Sequence, residues 1–543
     1  MDVNRNRYVG LDILTAVVIL TSSILWDVTA HSPLKVNLRF GGTYRLHLQG
    51  RAICLLPASL NLATFSYGTC VGWPSSAIPT LQSSEVPTGK NPVTEDEASW
   101  IGSLMFVGFL CGTPIFGYIS DKFGRKVAGL LIAVPAIISW LVIILCSSIH
   151  LIFVARFLSG LSTGGVLLLV PIYVGEICED SIRGTLGSYL AIFGNIGVLF
   201  SYVIGSYTLY HDFAIICLSL PVLFLVTFLW MPETPIYLLR KGEVKEAKRS
   251  LEWFRGGKGK DLEEELTKMS LSLKEIQERN SCRSLYKDLL LDRGVRRALI
   301  IGIAVSATQM LSGAYVILTY TAPIFRMTGS ELSPQVSSMI VGSLLVAASI
   351  LACPLMDRVG RKVLLVFSET VMGICLIALG AYFYLQDQGV DLTKAGFIPV
   401  VCLGLHLFSS AAGIGPVNMV LLSELFLPHV RSTSASISTF VMAFTAIVVT
   451  KFYSDLNNAI GIYGSYWCFA VCCFLGAIFS VTYVPETKNR DVYSIYAELS
   501  GKESSIIPVK KSYNMRDTPK EYRVQGILPN AKSPSSEHDI CAH

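Results

Sequence analysis

Twelve stretches of the chain are apolar over about 20 residues, the length a helix needs to cross the ~30 Å hydrocarbon core of a bilayer. Asp, Glu, Lys and Arg make up 15% of the residues, too few to cover the surface of a soluble protein. The sequence therefore predicts an all-α membrane protein with twelve transmembrane helices, and this composition excludes a nucleic-acid-binding role. The predicted spans lie near 52–71, 98–119, 127–147, 149–173, 186–208, 213–231, 297–325, 334–356, 362–384, 397–426, 433–455 and 464–484.

Three short motifs occur twice, once in each group of six spans and in the same order. The pairs are Gly124-Arg125-Lys126 with Gly360-Arg361-Lys362, Glu176 and Arg183 with Glu424 and Arg431, and Pro232-Glu233-Thr234 with Pro485-Glu486-Thr487. Because six is an even number of crossings, both copies of each motif fall on one membrane face. We therefore expect two parallel six-helix repeats, an architecture typical of transporters that bind substrate between the halves.

The remaining segments flank or join these repeats. We expect an N-terminal extension over 1–51, six-helix bundles over 52–231 and 297–484, a linker over 232–296 and a polar tail over 485–543. The linker is charged and amphipathic around 243–254 and 261–280, which predicts surface helices. The apolar segment 11–30 has three possible interpretations: a signal-like segment, a thirteenth span, or sequence that is not normally part of the protein.

Basic residues give the orientation, since cytoplasmic loops are enriched in Lys and Arg. The short loops on the motif face carry several of them, whereas the long opposite loop 72–97 carries only Lys90 against four acidic residues. We therefore expect the motif face, the linker and the tail to be cytosolic, in a multi-pass protein of the plasma membrane. A tail-binding partner is conceivable, but the tail contains no recognisable motif.

Charged residues near a membrane boundary are costly unless they are paired. One hypothesis is a cytosolic latch, in which ion pairs join the two halves and break as the halves move apart. The alternative is that the same residues set the topology and neutralise helix ends. The candidate latch residues are Arg125 with the nearby Asp121, Arg156, Glu176, Arg183, Glu233, Asp357, Arg361, Glu424, Arg431 and Glu486. Glu369 is a further acid inside a span, where exposure to a cytosolic crevice and a functional role are both possible.

The motifs closely resemble those of the sugar porter family of the major facilitator superfamily. The similar stretches are Gly117–Lys126, Arg156–Gly160, Pro171–Glu176, Pro232–Pro235 and Pro485–Lys488. Within this family, the segments Glu97–Leu104, Phe193–Gly197 and Val448–Lys451 look most like those of insect facilitated trehalose transporters. The resemblance covers roughly 52–490. It implies alternating access between two six-helix bundles, with a sugar held near the midplane.

The chain departs from that family where the sugar is expected to bind. Of the usual glutamine pair in span seven only Gln309 remains, and amide or tryptophan positions elsewhere are replaced. A sugar needs amides for its hydroxyl groups and an aromatic ring for its apolar face. The substrate is therefore open, because the replaced positions are Ala191, Thr308, Tyr315, Leu345, Met419, Met442 and Ala443.

Six residues remain as substrate-binding candidates, with Tyr320 as a possible gate. Each also has an ordinary structural interpretation: Tyr315 fills space, Asn195 bonds between helices, or Asn418 satisfies carbonyl groups of a broken helix. The candidates are Gln309, Thr308, Tyr315, Asn195, Asn418 and Tyr320.

No charged residue lies between Arg51 and Glu85, so span one lacks the acid that ion symport generally needs. We therefore expect facilitated diffusion of a small solute, with trehalose or a hexose as first candidates. The alternatives are a transport-dead sugar sensor on the same fold and a carrier of a different solute. The scattered histidines and the missing phosphate-binding loop argue against an enzyme, and no cofactor or metal is expected.

Overall fold

The computed structural model describes residues 52–83, 92–145, 148–178, 180–255, 260–281, 291–328, 332–392 and 395–501. Throughout these ranges the regular secondary structure is helical. The doubtful segment 11–30 and the polar tail after residue 501 lie outside the described residues.

The first half contains six membrane-crossing helices: α1 (Ala52–Leu81), α2 (Glu95–Phe123), α3 (Arg125–Leu145), α4 (Ile149–Ile177), α5 (Asp180–Tyr207) and α6 (Tyr210–Leu229). Three further helices follow at the predicted linker: α7 (Pro235–Arg240), α8 (Val244–Arg255) and α9 (Lys260–Ser281). The last two coincide with the amphipathic stretches of the sequence.

The second half contains α10 (Arg293–Leu311), α11 (Ala314–Met327), α12 (Pro334–Val359), α13 (Arg361–Asp387), α14 (Phe397–Ala412), α15 (Ile414–Glu424) and α16 (Arg431–Tyr483). A short helix, α17 (Val492–Ser500), comes after the last crossing. Together, α10 and α11 form one broken crossing, and so do α14 and α15.

Helix α16 is two crossings in one. Its 53 residues would span about 80 Å if straight, nearly twice the full thickness of a bilayer. At Gly461 the backbone leaves the helical conformation, with φ 77° and ψ 160°, which a glycine adopts without penalty. The kink divides α16 into the eleventh and twelfth spans. The predicted twelve-helix fold of two six-helix repeats is therefore confirmed.

Glycines allow the helices within a half to pack closely. A Cβ on Gly108 of α2 would lie 2.0 Å from the carbonyl oxygen of Phe157, and one on Gly160 of α4 would lie 1.9 Å from that of Met105. Such close contact of two backbones is typical of membrane helix pairs, where small residues replace the hydrophobic effect as the basis of packing. The α2–α4 pair is thus fixed backbone against backbone.

One face of α3 carries large apolar side chains that no other part of the described protein covers. Leu131, Val134, Ile138 and Leu141 are each exposed and recur every three or four residues, as expected for a single helix face. In water such a stripe would be unstable, and against lipid it is the normal exterior of a transmembrane helix.

The two halves meet along three helix pairs: α2 with α16, α5 with α12, and α1 with α11. We call the end of the molecule that carries the two Gly-Arg-Lys motifs the motif end, and the opposite end the outer end. Alternate helices run in opposite directions, so Glu95 at the start of α2 lies at the outer end and Phe123 at the motif end.

Candidate functional site

A cluster of charges at the motif end of the first half centres on Arg125, which is 3% exposed. Its guanidinium group lies 2.8 Å from Glu176 and 3.3 Å from Asp121. Glu233 accepts hydrogen bonds from the backbone N–H groups of Arg125 and Lys126, at 2.9 and 3.0 Å. The carboxylate of Glu233 therefore satisfies the N-terminus of α3, where negative charge is favoured by the helix dipole.

The second half repeats this arrangement around Arg361. Its guanidinium group lies 3.1 Å from Glu424 and 3.7 Å from Asp357. Glu486 accepts from the backbone N–H groups of Arg361 and Lys362, at 3.0 and 3.1 Å. The duplicated motifs of the sequence are thus duplicated in three dimensions, each tying together four helix ends of its own half.

Glycine is required before each of these arginines. Gly124 has φ 108° and Gly360 has φ 101°, in the region that side chains rarely adopt. A Cβ at Gly124 would also lie 2.2 Å from the carboxylate of Glu233, and one at Gly360 would lie 2.7 Å from that of Glu486. Burial raises the pKa of Glu233, although the backbone N–H groups bonded to it act in the opposite direction.

Among the described residues, the ion pairs at the motif end lie within each half, so the latch between the halves is not formed in this conformation and stays a prediction. Glu424 pairs with Arg361 rather than Arg431, and Arg431 donates to the carbonyl oxygen of Phe426 at 3.3 Å. The side chain of Arg183 lies outside the described residues. Short loops place each arginine beside carboxylates of its own bundle, which sequence spacing alone did not reveal.

Arg156 lies too far from the motif end to belong to such a latch. It precedes Glu176 by 20 residues on the same helix, α4, and so lies about 30 Å from the motif end. Its guanidinium group is buried and donates to the carbonyl oxygens of Ile101 at 2.9 Å and Cys70 at 2.8 Å. Arg156 therefore joins α1, α2 and α4 inside the first half.

An ion pair between the halves does occur, but at the outer end. The ammonium group of Lys451 on α16 bonds to Asp96 on α2 and, at 2.9 Å, to the hydroxyl of Ser99. It also lies 4.8 Å from the ring centre of Trp100. Sequence reasoning missed this contact, although a lone lysine at the end of an apolar run was a signal for it.

Hydrogen bonds extend the closure of the outer end. Ser454 donates to Glu95 at 3.2 Å, and the hydroxyl of Tyr320 donates to the carbonyl oxygen of Ala98 at 3.3 Å. Nearer the centre, Tyr202 donates to the carbonyl oxygen of Leu318 at 2.8 Å. Tyr320, predicted as a possible gate, therefore lies in the outer contact between the halves.

The amide candidates at the centre bond to protein groups. The side-chain carbonyl oxygen of Gln309 accepts from Asn418 at 2.7 Å, and that of Asn418 accepts from Ser306 at 3.1 Å. Both amides are buried. Asn195 donates to Ser349 across the two halves, and Thr308 donates to a carbonyl oxygen of its own helix. The six candidates thus fall into different places: Gln309 and Asn418 form a central pair, Asn195 bonds between the halves, Thr308 bonds within its own helix, Tyr320 lies at the outer gate and Tyr315 lines a central cavity.

A small cavity lies between the halves near this pair. Its volume is about 30 Å³, room for a water molecule or two and not for a sugar. Tyr315 and Phe106 meet edge to face across it, with ring centres 5.6 Å apart. Met442 and Ala443, two of the replaced positions, line it, whereas Met419 is exposed and lies elsewhere. In this conformation the centre is therefore closed around aromatic and methionine side chains.

Comparison with known proteins identifies the family of the chain. The model of the family "Sugar (and other) transporter" matches residues 54–499. The chain belongs to this family. It is 33% identical to the facilitated trehalose transporter Tret1 of Polypedilum vanderplanki, over 85% of this chain and 91% of that protein, and 32% identical to that of Bombyx mori, over 83% and 88%. Family membership supports a transporter rather than an enzyme.

Among solved structures, the chain is similar to the inward-open conformation of the xylose transporter XylE from E. coli. The TM-score is 0.67 at 22% identity, over 82% of this chain and 98% of that one. This similarity supports the fold of two six-helix bundles.

Proposed function

We propose that the protein is a facilitative transporter that carries a sugar by alternating access, with trehalose and hexoses as the first candidates. The family match over most of the chain and the trehalose transporters among its relatives support this function. The plasma membrane is the proposed location, with the motif end facing the cytosol as the distribution of basic residues predicts.

The observation that best supports alternating access is the different use of charge at the two ends. At the motif end, the Arg125 and Arg361 clusters each hold one half together. At the outer end, Lys451 and Asp96 hold one half to the other. Each half can therefore move as a rigid body, and outward opening has to break the Lys451–Asp96 pair and the hydrogen bonds of Ser454, Tyr320 and Tyr202 between the halves.

Two buried ionisable residues, Arg156 and Glu369, bond to neutral groups, an arrangement that supports passive transport. Arg156 is held by carbonyl oxygens of its own half, and the first span carries no acid. Glu369 on α13 is 1% exposed and accepts from Ser480 at 2.9 Å, so it is not open to a crevice in this structure. It is the group whose replacement tests for proton coupling.

The test is tracer uptake into oocytes, with surface expression measured through an epitope tag. We expect saturable trehalose or glucose uptake that is unchanged by external pH and retained in the Glu369→Gln variant. Uptake that needs an inward proton gradient, and is lost in that variant, would overturn the facilitative mechanism. Gln309→Ala should raise the sugar concentration for half-maximal uptake about tenfold, because the solute loses one good hydrogen bond.

A second function, a sugar sensor or a carrier of another solute, is favoured by one observation. The central cavity is lined mainly by apolar and aromatic side chains, and Gln309 is already bonded to Asn418. Surface-expressed protein that takes up neither trehalose nor glucose would support this alternative over sugar transport.

A further inference from the structure

A second and much larger cavity lies at the outer end, beyond the contact between Tyr320 and Ala98. Its volume is about 530 Å³, within the range of small-molecule sites. The first half contributes the ends of α1 and α2 to its wall, and the second half contributes α11, α13 and the kinked region of α16 around Gly461. We call this cavity the outer vestibule.

Two amide groups in the vestibule have a carbonyl oxygen without a protein partner. The oxygen atoms Oε1 of Gln386 and Oδ1 of Asn457 are both buried, and neither has a hydrogen-bond partner among the described residues. The amide nitrogen of Gln386 donates to the carbonyl oxygen of Met327 at 2.9 Å, which fixes the orientation of its side chain. Buried acceptors without a partner are uncommon, and each of these two would be satisfied once the cavity wall opens enough to admit a hydroxyl donor.

Aromatic rings form the apolar part of the wall. Tyr320 and Tyr453 lie against each other, with ring centres 5.4 Å apart and a tilt of 36°. Phe383 and Tyr463 also line the cavity. Flat rings beside hydrogen-bonding groups suit a ligand that has C–H faces as well as hydroxyl groups.

The charged groups of the vestibule are acceptors too. Glu95 and Asp387 line it, and none of the described lining residues is Lys or Arg. Carboxylates and amide oxygens together demand a ligand rich in donors, which leaves a polyhydroxylated solute or an organic cation. The two amide oxygens without a partner favour a polyhydroxylated solute over an organic cation, because a neutral amide oxygen accepts a hydrogen bond but carries no charge to pair with a cation.

We propose that the outer vestibule is a binding site for a polyhydroxylated solute, separate from the central cavity. The inference goes beyond the proposed function but rests on it for the identity of the solute, taken as the transported sugar. The site is complete while the outer contacts between the halves are closed, so it holds the solute before the pathway opens. Glu95 and Tyr320 belong both to the vestibule and to those contacts, so the site adjoins the gate directly.

The test uses a thiol introduced at Asn458, an exposed residue of the vestibule wall. Intact cells that express the Asn458→Cys protein are labelled from outside with a membrane-impermeant maleimide, and labelling of the parent protein is subtracted. We expect trehalose to slow the labelling of this introduced thiol. The variant Asn457→Leu removes the acceptor oxygen Oδ1 together with the amide group that bonds to Tyr453, so it should raise the trehalose concentration for half-protection about 3- to 10-fold. Its surface expression, measured in the same cells, shows that it folds.

The Gln309→Ala variant separates the two proposals. Protection of the introduced thiol that persists in this variant, while uptake falls, places the protecting sugar in the vestibule. Sugar uptake without any protection of the thiol would overturn the vestibule site and leave the transport function intact. Protection of the thiol without any sugar uptake would overturn the transport function and leave the vestibule site intact. Protection by choline and not by sugars would overturn the assignment of the solute class.

Discussion

Replacement of Lys451 by methionine should open the outer end. The variant loses the ion pair to Asp96, which is worth about 0.2–1 kcal/mol because Asp96 is largely exposed. It also loses the hydrogen bond to Ser99 and the cation–π contact with Trp100, each worth about 0.5–1 kcal/mol here. These terms overlap, so we expect a net shift of about 1–2 kcal/mol, or about 5- to 30-fold, toward the outward-open state.

A cysteine introduced at Ala446 reports this opening. Ala446 is buried beside the central cavity, one turn below Thr450, which packs against Gly102 of the first half. An impermeant thiosulfonate added outside reaches it only when the outer end opens. The labelling rate of Ala446→Cys should therefore rise about 5- to 30-fold when Lys451→Met is added.

Lys122→Met is the matched control, since the ammonium group of Lys122 contacts the neighbouring Tyr118 and Phe123 of its own half. It should leave the labelling rate unchanged, as should Lys451→Arg, which keeps the charge. Labelling of the Lys451→Met protein at the parent rate would refute the role of this ion pair in holding the halves together.

Three further predictions concern stability, measured as thermal unfolding in detergent. Gly124→Ala should cost more than Gly389→Ala, by about 1–2 kcal/mol, since both have positive φ but only Gly124 faces a carboxylate. Arg156→Met should cost about 1–3 kcal/mol, because two buried carbonyl groups lose their donor. Because burial raises the pKa of Glu233, its contribution to stability is present below the unfolded-state pKa of about 4.5 and is lost as the pH rises through the folded-state value. Between pH 4.5 and neutrality, the melting temperature of the parent should therefore fall by more than that of Glu233→Gln.

Each of these has a contradicting result. Equal losses for the two glycine variants would mean that strain alone matters at Gly124. An Arg156→Met protein as stable as the parent would show that its carbonyl partners find other donors. An unchanged pH dependence in Glu233→Gln would assign that dependence to other groups.

The sequence was sufficient for the fold because membrane spans depend on one local property, the length of an apolar run. The duplicated motifs then defined the two halves, since Arg125 and Arg361 recur with the same neighbours. The position of the kink near Gly461 could be predicted from the sequence as well, because the two predicted spans on either side of it leave room for only a short turn. Helix-by-helix agreement follows from these local signals.

Contacts between residues far apart in the chain could not be predicted from the sequence in the same way. Glu424 precedes Arg431 by seven residues, yet it pairs with Arg361, which is 63 residues away in the chain. The place of Arg156 along the bundle follows only from the direction of α4, a step that motif matching skipped. Lys451 lies in a stretch that resembles trehalose transporters, but nothing in that stretch indicates its partner Asp96, which lies in the other half. These contacts depend on how the bundles pack, which periodicity does not encode.

The two arginine clusters allow one copy of a motif to serve as the reference for the other copy in the same protein. The same replacement, Glu176→Gln or Glu424→Gln, can be made in two copies of one motif that share a membrane, a fold and an expression level. The copies differ in solvent access, since the glutamate side chains are 10% and 27% exposed. The difference between the two losses of stability would thus measure how far water weakens a charge pair, with no second protein needed for comparison.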